Sequence, residues 1–214
     1  MKHKFYLFLI LTVLFTSCND ESISSQKSLS ITNHEKNTLK TDSSQNKINT
    51  IKSTPSKEYK FTFENLQKQA STIKMKDDIY SFSNIKQPII MITLFSTWCP
   101  PCRGQIPHLS NLQKKFKEHL FILGALVHDD IKREALKKFI ISEKALFFIS
   151  INQQSNLNFA KMITPKLRLA EDFPMPLMIL FFKGKYFTHY EGSMPEEMIE
   201  SDIEQLLIKI KKGQ

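Results

Sequence analysis

At 214 residues, with 41% apolar and 11% aromatic residues, the chain has material for one ordinary folded domain together with a leader and a linker. A formal charge of +9 raises the question of a nucleic-acid partner, but the lysines are scattered and form no basic block interleaved with aromatics, so nucleic-acid binding is not expected. Abundant Lys, Asn, Ile and Phe beside only 5 glycines point to compositional bias as the source of the charge.

The first predicted element is a leader. Lys2 and Lys4 precede an almost wholly apolar run from Phe5 to Phe15, then come Thr16, Ser17 and Cys18. That run is too short for a convincing membrane-spanning helix and suits a signal peptide over residues 1–17. Small residues just before a cysteine resemble the bacterial lipoprotein signal, which implies cleavage before Cys18 and lipid on its sulfur. Phe15 departs from that pattern, which usually has an aliphatic residue there. An ordinary signal leaving Cys18 as a free thiol is the alternative. Residues 18–57 are rich in Ser, Asn, Thr, Gln and Lys and are expected to form a disordered tether with a reach of roughly 35 Å.

From residue 58 the pattern becomes that of a folded α/β domain. Phe61-Thr62-Phe63 alternates as a strand, and Ile73, Met75, Ile79 and Phe82 suggest a short hairpin. The run 89–95 is apolar throughout and predicts a central strand covered on both faces. Ile106, Leu109, Leu112 and Phe116 recur at helical spacing. Phe121 to Val127 reads as a second buried strand, Ala135 to Ile140 as a helix, and Leu146 to Ile151 as a further strand. Leu177 to Phe182 and Tyr186 to Tyr190 form a hairpin about Gly184. A last helix is expected to open at a capping box, Ser193-Met194-Pro195-Glu196, and to bury Ile199, Ile203 and Leu206. Alternating strands and helices closed by a hairpin predict a mixed central sheet flanked by helices, with an N-terminal hairpin extension.

Between the central strand and the first helix lies Trp98-Cys99-Pro100-Pro101-Cys102. A strand feeding a helix through a CxxC places the first sulfur at the helix N-terminus, where free N–H groups and the helix dipole favour the thiolate. The second sulfur lies one turn on, within reach of a disulfide. Cys99 is therefore expected to be exposed and reactive, and Cys102 buried. Pro100 and Pro101 restrict the helix start and remove N–H donors that would stabilise a thiolate. Two purely structural cysteines are the plain alternative. A zinc site would need a second ligand pair, which distant Cys18 does not provide, so no metal is expected. His128 and Asp129 end the second buried strand on the CxxC side, where they could tune the thiols or simply be solvated.

Residues 59–212 resemble the thioredoxin-fold proteins of the TlpA/ResA/CcmG type. The resemblance rests on Phe95 to Arg103 with Ile106, Pro107 and Leu109, and on Pro174-Met175-Pro176 leading through Leu177–Phe182 to Lys183-Gly184. It implies a membrane-tethered, periplasm-facing thiol–disulfide oxidoreductase without a cofactor, in which Cys99 attacks and Cys102 resolves. It also implies a cis-proline at Pro176, with the Met175 backbone turned toward the sulfurs to receive a substrate segment, and Trp98 and Pro101 supporting the site. Implied partners are proteins with disulfides, such as apocytochrome c or metal-site cysteines, and a membrane thiol donor of the DsbD or CcdA type. Two positions depart from the pattern: Thr93 and Gln105 stand where relatives carry acidic residues. A disulfide-forming oxidase is a rival reading. A copper chaperone fits less well, since the related Sco-type proteins have three residues between their cysteines. A peroxidase fits Ser96 but not Ile92, where peroxiredoxins carry proline.

Overall fold

The computed structural model describes residues 57–213; the leader, Cys18 and nearly all of the tether lie outside them. Eight strands and four helices follow in the order β1 (Tyr59–Glu64), β2 (Ala70–Lys76), β3 (Ile79–Phe82), β4 (Ile89–Phe95), α1 (Pro100–Lys115), β5 (Leu120–Leu126), α2 (Arg133–Ser142), β6 (Phe148–Ser150), α3 (Gln153–Lys166), β7 (Leu177–Phe182), β8 (Lys185–Glu191) and α4 (Glu196–Lys211). They form one sheet in the order β1-β2-β3-β8-β7-β4-β5-β6. β4 pairs parallel with β5 and antiparallel with β7, so the sheet is mixed as expected.

The apolar run of β4 explains its place. Every residue of it is buried, because Ile89 and Met91 face one layer and Ile90, Ile92 and Leu94 the other. The first layer holds Leu109 and Leu112 of α1 and Ile199, Ile203 and Leu206 of α4. The second holds Phe159 and Ile163 of α3 beneath Phe61, Phe63, Ile73 and Met75 of the N-terminal strands. The expected hairpin is thus part of a three-stranded meander, and its outer edge is not left open. Thr62 N–H donates to Ser155 Oγ (2.8 Å), Asn152 Nδ2 donates to the Thr62 carbonyl (2.9 Å), and Ile151 N–H donates to the Glu64 carbonyl (2.7 Å). The segment leading into α3 and its first turn therefore occupy backbone groups of Thr62 and Glu64 that would otherwise invite edge pairing.

Helix α4 does not open at the expected capping box. Its N-cap is Pro195 and Glu196 is its first residue, so the start lies two residues beyond Ser193. The side chains needed for the box are committed elsewhere: Ser193 Oγ donates to the Pro101 carbonyl (2.9 Å), and Glu196 Oε2 takes Asn111 Nδ2 (3.1 Å) and lies 3.0 Å from His108 Nδ1. Among the described residues no helix is long and apolar enough to cross a membrane.

Tyr80 of β3 packs its ring 4.6 Å from that of Phe181, and its hydroxyl pKa is pushed up from 10.0 to about 12, mainly by burial and further by Asp78. A raised phenol pKa means that the folded state holds its proton after the unfolded chain has released it. This contribution to stability is full below pH 10 and fades as pH climbs toward 12. Urea denaturation is expected to show a loss of about 1 kcal/mol from Tyr80 between pH 9 and 11, and Tyr80→Phe is expected to flatten that part of the decline.

Candidate functional site

β4 ends at Phe95, and the chain turns through Ser96, Thr97 and Trp98 into Cys99, the N-cap of α1. Cys99 keeps an extended backbone, with φ −84° and ψ 111°. Pro100 and Pro101 fill the first two helical positions, which tolerate the missing amide hydrogens. Cys102 is then the first residue of the helix with an N–H, and it donates to Cys99 Sγ at 3.3 Å. The capping sulfur stands where a serine or aspartate oxygen usually caps a helix. Cys99 and Cys102 are joined by a disulfide with Cα atoms 5.2 Å apart.

Cys102 is buried as expected, at 1% exposed, but Cys99 is not the exposed residue that its place before the helix suggested: it is 5% exposed. The difference comes from a second chain segment. The Met175–Pro176 peptide is cis, and the Met175 carbonyl oxygen lies 3.9 Å from Cys99 Sγ. Met175 also packs against the cluster of Phe95, Ile106, Leu126 and the two cysteines. Pro176 is buried at the head of β7, whereas Pro174 is exposed. Trp98 is 60% exposed beside the disulfide, with its indole Nε1–H donating to the His128 carbonyl (2.9 Å).

The two departures from the family pattern are both buried at 1% exposed. Thr93 Oγ1 has no hydrogen-bond partner among the described residues. Gln105 accepts Met194 N–H on its Oε1 (2.9 Å), while its Nε2 is likewise unpartnered. Neither side chain carries a charge, so neither serves as a carboxylate base for Cys102. Asp129 is a buried carboxylate nearby, with Oδ2 accepting Thr97 N–H (2.5 Å) and Oδ1 accepting Ile131 N–H (3.1 Å). His128 is exposed and contributes its carbonyl, not its ring, to the contact with Trp98. Arg103 forms an ion pair with Glu143 (2.6 Å), away from the sulfurs on the exposed face of α1.

Sequence reasoning missed the role of the segment 192–194, because it read residues 193–196 as a capping box. Gly192 N–H donates to the Pro176 carbonyl (2.9 Å), Ser193 Oγ to the Pro101 carbonyl (2.9 Å), and Met194 N–H to Gln105 Oε1 (2.9 Å). These bonds link the cis-proline loop to the first turns of α1. A serine one residue beyond Gly192 carried no signal of this, because its partner, the Pro101 carbonyl, is distant in sequence. Among the described residues no three or more His, Cys, Asp or Glu side chains group in a way that could hold a metal ion.

The architecture is shared with solved proteins. A thioredoxin-family thiol:disulfide interchange protein from Chlorobium tepidum TLS superposes with a TM-score of 0.54 at 14% identity, covering 69% of this chain and 93% of its own. A thiol:disulfide interchange protein from Bacteroides sp. gives 0.52 at 18% identity, covering 73% and 91%. These likenesses establish the thioredoxin-like fold. In sequence, the chain is similar to the thiol-disulfide oxidoreductase ResA of Bacillus thuringiensis subsp. konkukian, 23% identical over 118 residues, which is 55% of this chain. The match spans 62% of the length of that relative. The AhpC/TSA family matches residues 62–184, which take in β4, the CxxC turn, Asp129 and the cis-proline, and the chain belongs to that family.

Proposed function

We propose that the protein is a thiol–disulfide oxidoreductase that reduces disulfides in other proteins. The observation that carries this reading is a cysteine pair joined as a disulfide at a helix N-terminus, with Cys99 Sγ between the Cys102 amide and the Met175 carbonyl. In the reduced protein the Cys99 thiolate attacks a substrate disulfide, forming one S–S bond and releasing one substrate thiolate. Cys102 then loses its proton and attacks Cys99 Sγ. The internal disulfide forms, the second substrate thiolate leaves, and the substrate has gained two electrons. With Thr93 and Gln105 uncharged, the thiolate released in the first step, with a pKa of about 8.5, is the base that takes the Cys102 proton. The backbone of Met175 offers the substrate segment a strand-like partner, and Trp98 and Pro101 frame its approach.

The two prolines support a reducing direction. A dithiol becomes a strong oxidant when its reduced form is stabilised. Here Pro100 and Pro101 withhold two amide hydrogens from the Cys99 thiolate and leave that of Cys102. A reduction potential near −270 mV, as in thioredoxin, is the value this reading requires, and one near −120 mV would mark an oxidase. The finer assignment follows the resemblance of the sequence. The head is carried on residues 18–57 from lipidated Cys18 at the periplasm-facing side of a bacterial membrane, takes electrons from a DsbD- or CcdA-type thiol donor, and acts on apocytochrome c or metal-site cysteines.

The test is capture. Reduced Cys102→Ser protein mixed with an oxidised peptide carrying a disulfide-bonded cysteine pair is expected to accumulate a covalent adduct on Cys99 that dithiothreitol reverses. Failure to form any adduct while Cys99 is a free thiol would overturn the proposal.

A further inference from the structure

We infer that Asp129 is a positioning residue for the attacking sulfur. Its carboxylate supplies a rung of the β4–β5 ladder that the backbone no longer makes, and so holds the turn that aims Cys99. The inference rests on the thiol–disulfide reading for its meaning but not for its test.

β4 and β5 pair in register from Ile89 opposite Leu120 to Phe95 opposite Leu126. Past that point the two chains stay joined by different means. Val127 N–H donates to the Phe95 carbonyl (3.0 Å), Ser96 Oγ donates to the Val127 carbonyl (2.5 Å), Thr97 N–H donates to Asp129 Oδ2 (2.5 Å) and Trp98 Nε1 donates to the His128 carbonyl (2.9 Å). Each residue from Phe95 to Trp98 is thus tied to the segment 127–129, and the next residue is Cys99. Asp129 is itself fixed, because its other oxygen accepts Ile131 N–H (3.1 Å) and its carbonyl accepts Gln153 Nε2.

Burying a carboxylate is costly, and this one is 7% exposed. A neutral side chain would fill the space at lower cost. What a carboxylate adds is two charge-assisted bonds in fixed directions, one to the turn and one to its own loop. Besides the bonds made by the Phe95 carbonyl, Ser96 Oγ and Trp98 Nε1, the turn is closed by Cys99 N–H donating to the Ser96 carbonyl at 3.3 Å. Among these the Thr97 bond is the one made to a carboxylate. Loss of the Thr97 bond leaves Cys99 held by its own backbone bonds to Ser96 and Arg103, and is expected to loosen the turn that sets its sulfur against the Cys102 amide, the first N–H that α1 can offer.

The experiment uses the full chain with Cys102→Ser, reduced, and follows alkylation by iodoacetamide on the Cys99 peptide by mass spectrometry, so that Cys18 does not contribute. Asp129→Ala is expected to move the pH profile of Cys99 upward and to slow alkylation about tenfold at pH 7, one unit of thiol pKa. It is also expected to change the emission of Trp98, the single tryptophan of the chain. Asp129→Asn must turn its NH₂ onto one of the two backbone donors, so it is expected to shift the profile the same way by less. A folded Asp129→Ala protein whose profile superimposes on the parent would overturn the inference. So would a shift to lower pH, the mark of a charge repelling the thiolate. If Asp129→Ala fails to fold, an Asp129→Asn profile identical to the parent overturns it instead. Loss of substrate turnover plays no part in these readings, so a failed reductase assignment and a failed positioning role remain distinguishable.

Discussion

Cys99→Ser is expected to remove insulin reduction by roughly a thousandfold or more, because the substitution deletes the atom that forms the first covalent bond. A serine hydroxyl is almost fully protonated at neutral pH and cannot enter a disulfide, so no intermediate forms and no electrons pass. Cys102→Ser is expected to abolish turnover as well, but by a different arrest: the first bond forms and stays. The pair of variants therefore separates attack from resolution. Two structural cysteines, the plain alternative, would leave the thiols without turnover in either variant or in the parent. The comparison belongs with the reduced parent protein, so that loss of the internal disulfide does not add a stability difference. Substantial insulin reduction by both variants would remove the dithiol from the chemistry altogether.

The parts of the fold that sequence made legible are those in which neighbouring residues carry the information. β4 reads as a central strand because all its residues are apolar, and all are buried. The helix after the CxxC reads from Ile106, Leu109 and Leu112, which are the large apolar residues it buries. Helix α3 was missed for a physical reason. Its buried face is Asn156, Phe159, Ala160, Ile163 and Thr164, a helical spacing, but polar residues stand at both ends of it. Asn156 Nδ2 donates to the Leu126 and Ser150 carbonyls (3.0 and 3.1 Å), joining the ends of β5 and β6, and Thr164 Oγ1 donates to the Ala160 carbonyl (3.0 Å). Polar groups engaged in this way erase the hydrophobic period while tying the helix to the sheet, although Asn156 Oδ1 itself has no hydrogen-bond partner among the described residues.

At the site, the same division holds. The cysteines, the prolines and the cis-proline position are local patterns, and the roles proposed for them rest on a resemblance carried by short motifs. The burial of Cys99 is not local, because the segment that covers it lies some seventy residues away in the chain, at Met175. His128 and Asp129 could be placed at the correct end of β5 from sequence, yet their use could not: the ring of His128 is idle, its carbonyl is engaged, and the carboxylate of Asp129 serves backbone amides. The apparent capping box at Ser193 failed for the converse reason, since a strong local pattern lost its side chains to α1 and its partners there were invisible.

Phe159→Ala is expected to be the most damaging core substitution away from the sulfurs. Phe159 is fully buried on α3, with its ring edge-on to Phe61 (5.4 Å between centroids) and to Phe63 (5.7 Å). It is the point where α3 meets the N-terminal strands, whose outer edge the start of the same helix already binds through Thr62 and Glu64. Removing the ring leaves a cavity under β1 that neither a rigid helix nor a paired strand can close, at a cost of about 3–5 kcal/mol. Against a total stability of about 5–15 kcal/mol that is a large fraction, equivalent to a fall in melting temperature of about 10 °C or more. Phe159→Leu retains part of the volume and is expected to recover about half of the loss. Insulin reduction at 20 °C by the fraction that stays folded is expected to survive, because the cysteines pack in a different cluster, with Phe95, Ile106 and Leu126. Thermal denaturation of the oxidised protein measures the first effect and turnover per folded molecule the second. A shift of less than about 1 kcal/mol would mean that the N-terminal strands are held by their edge hydrogen bonds and not by this aromatic contact.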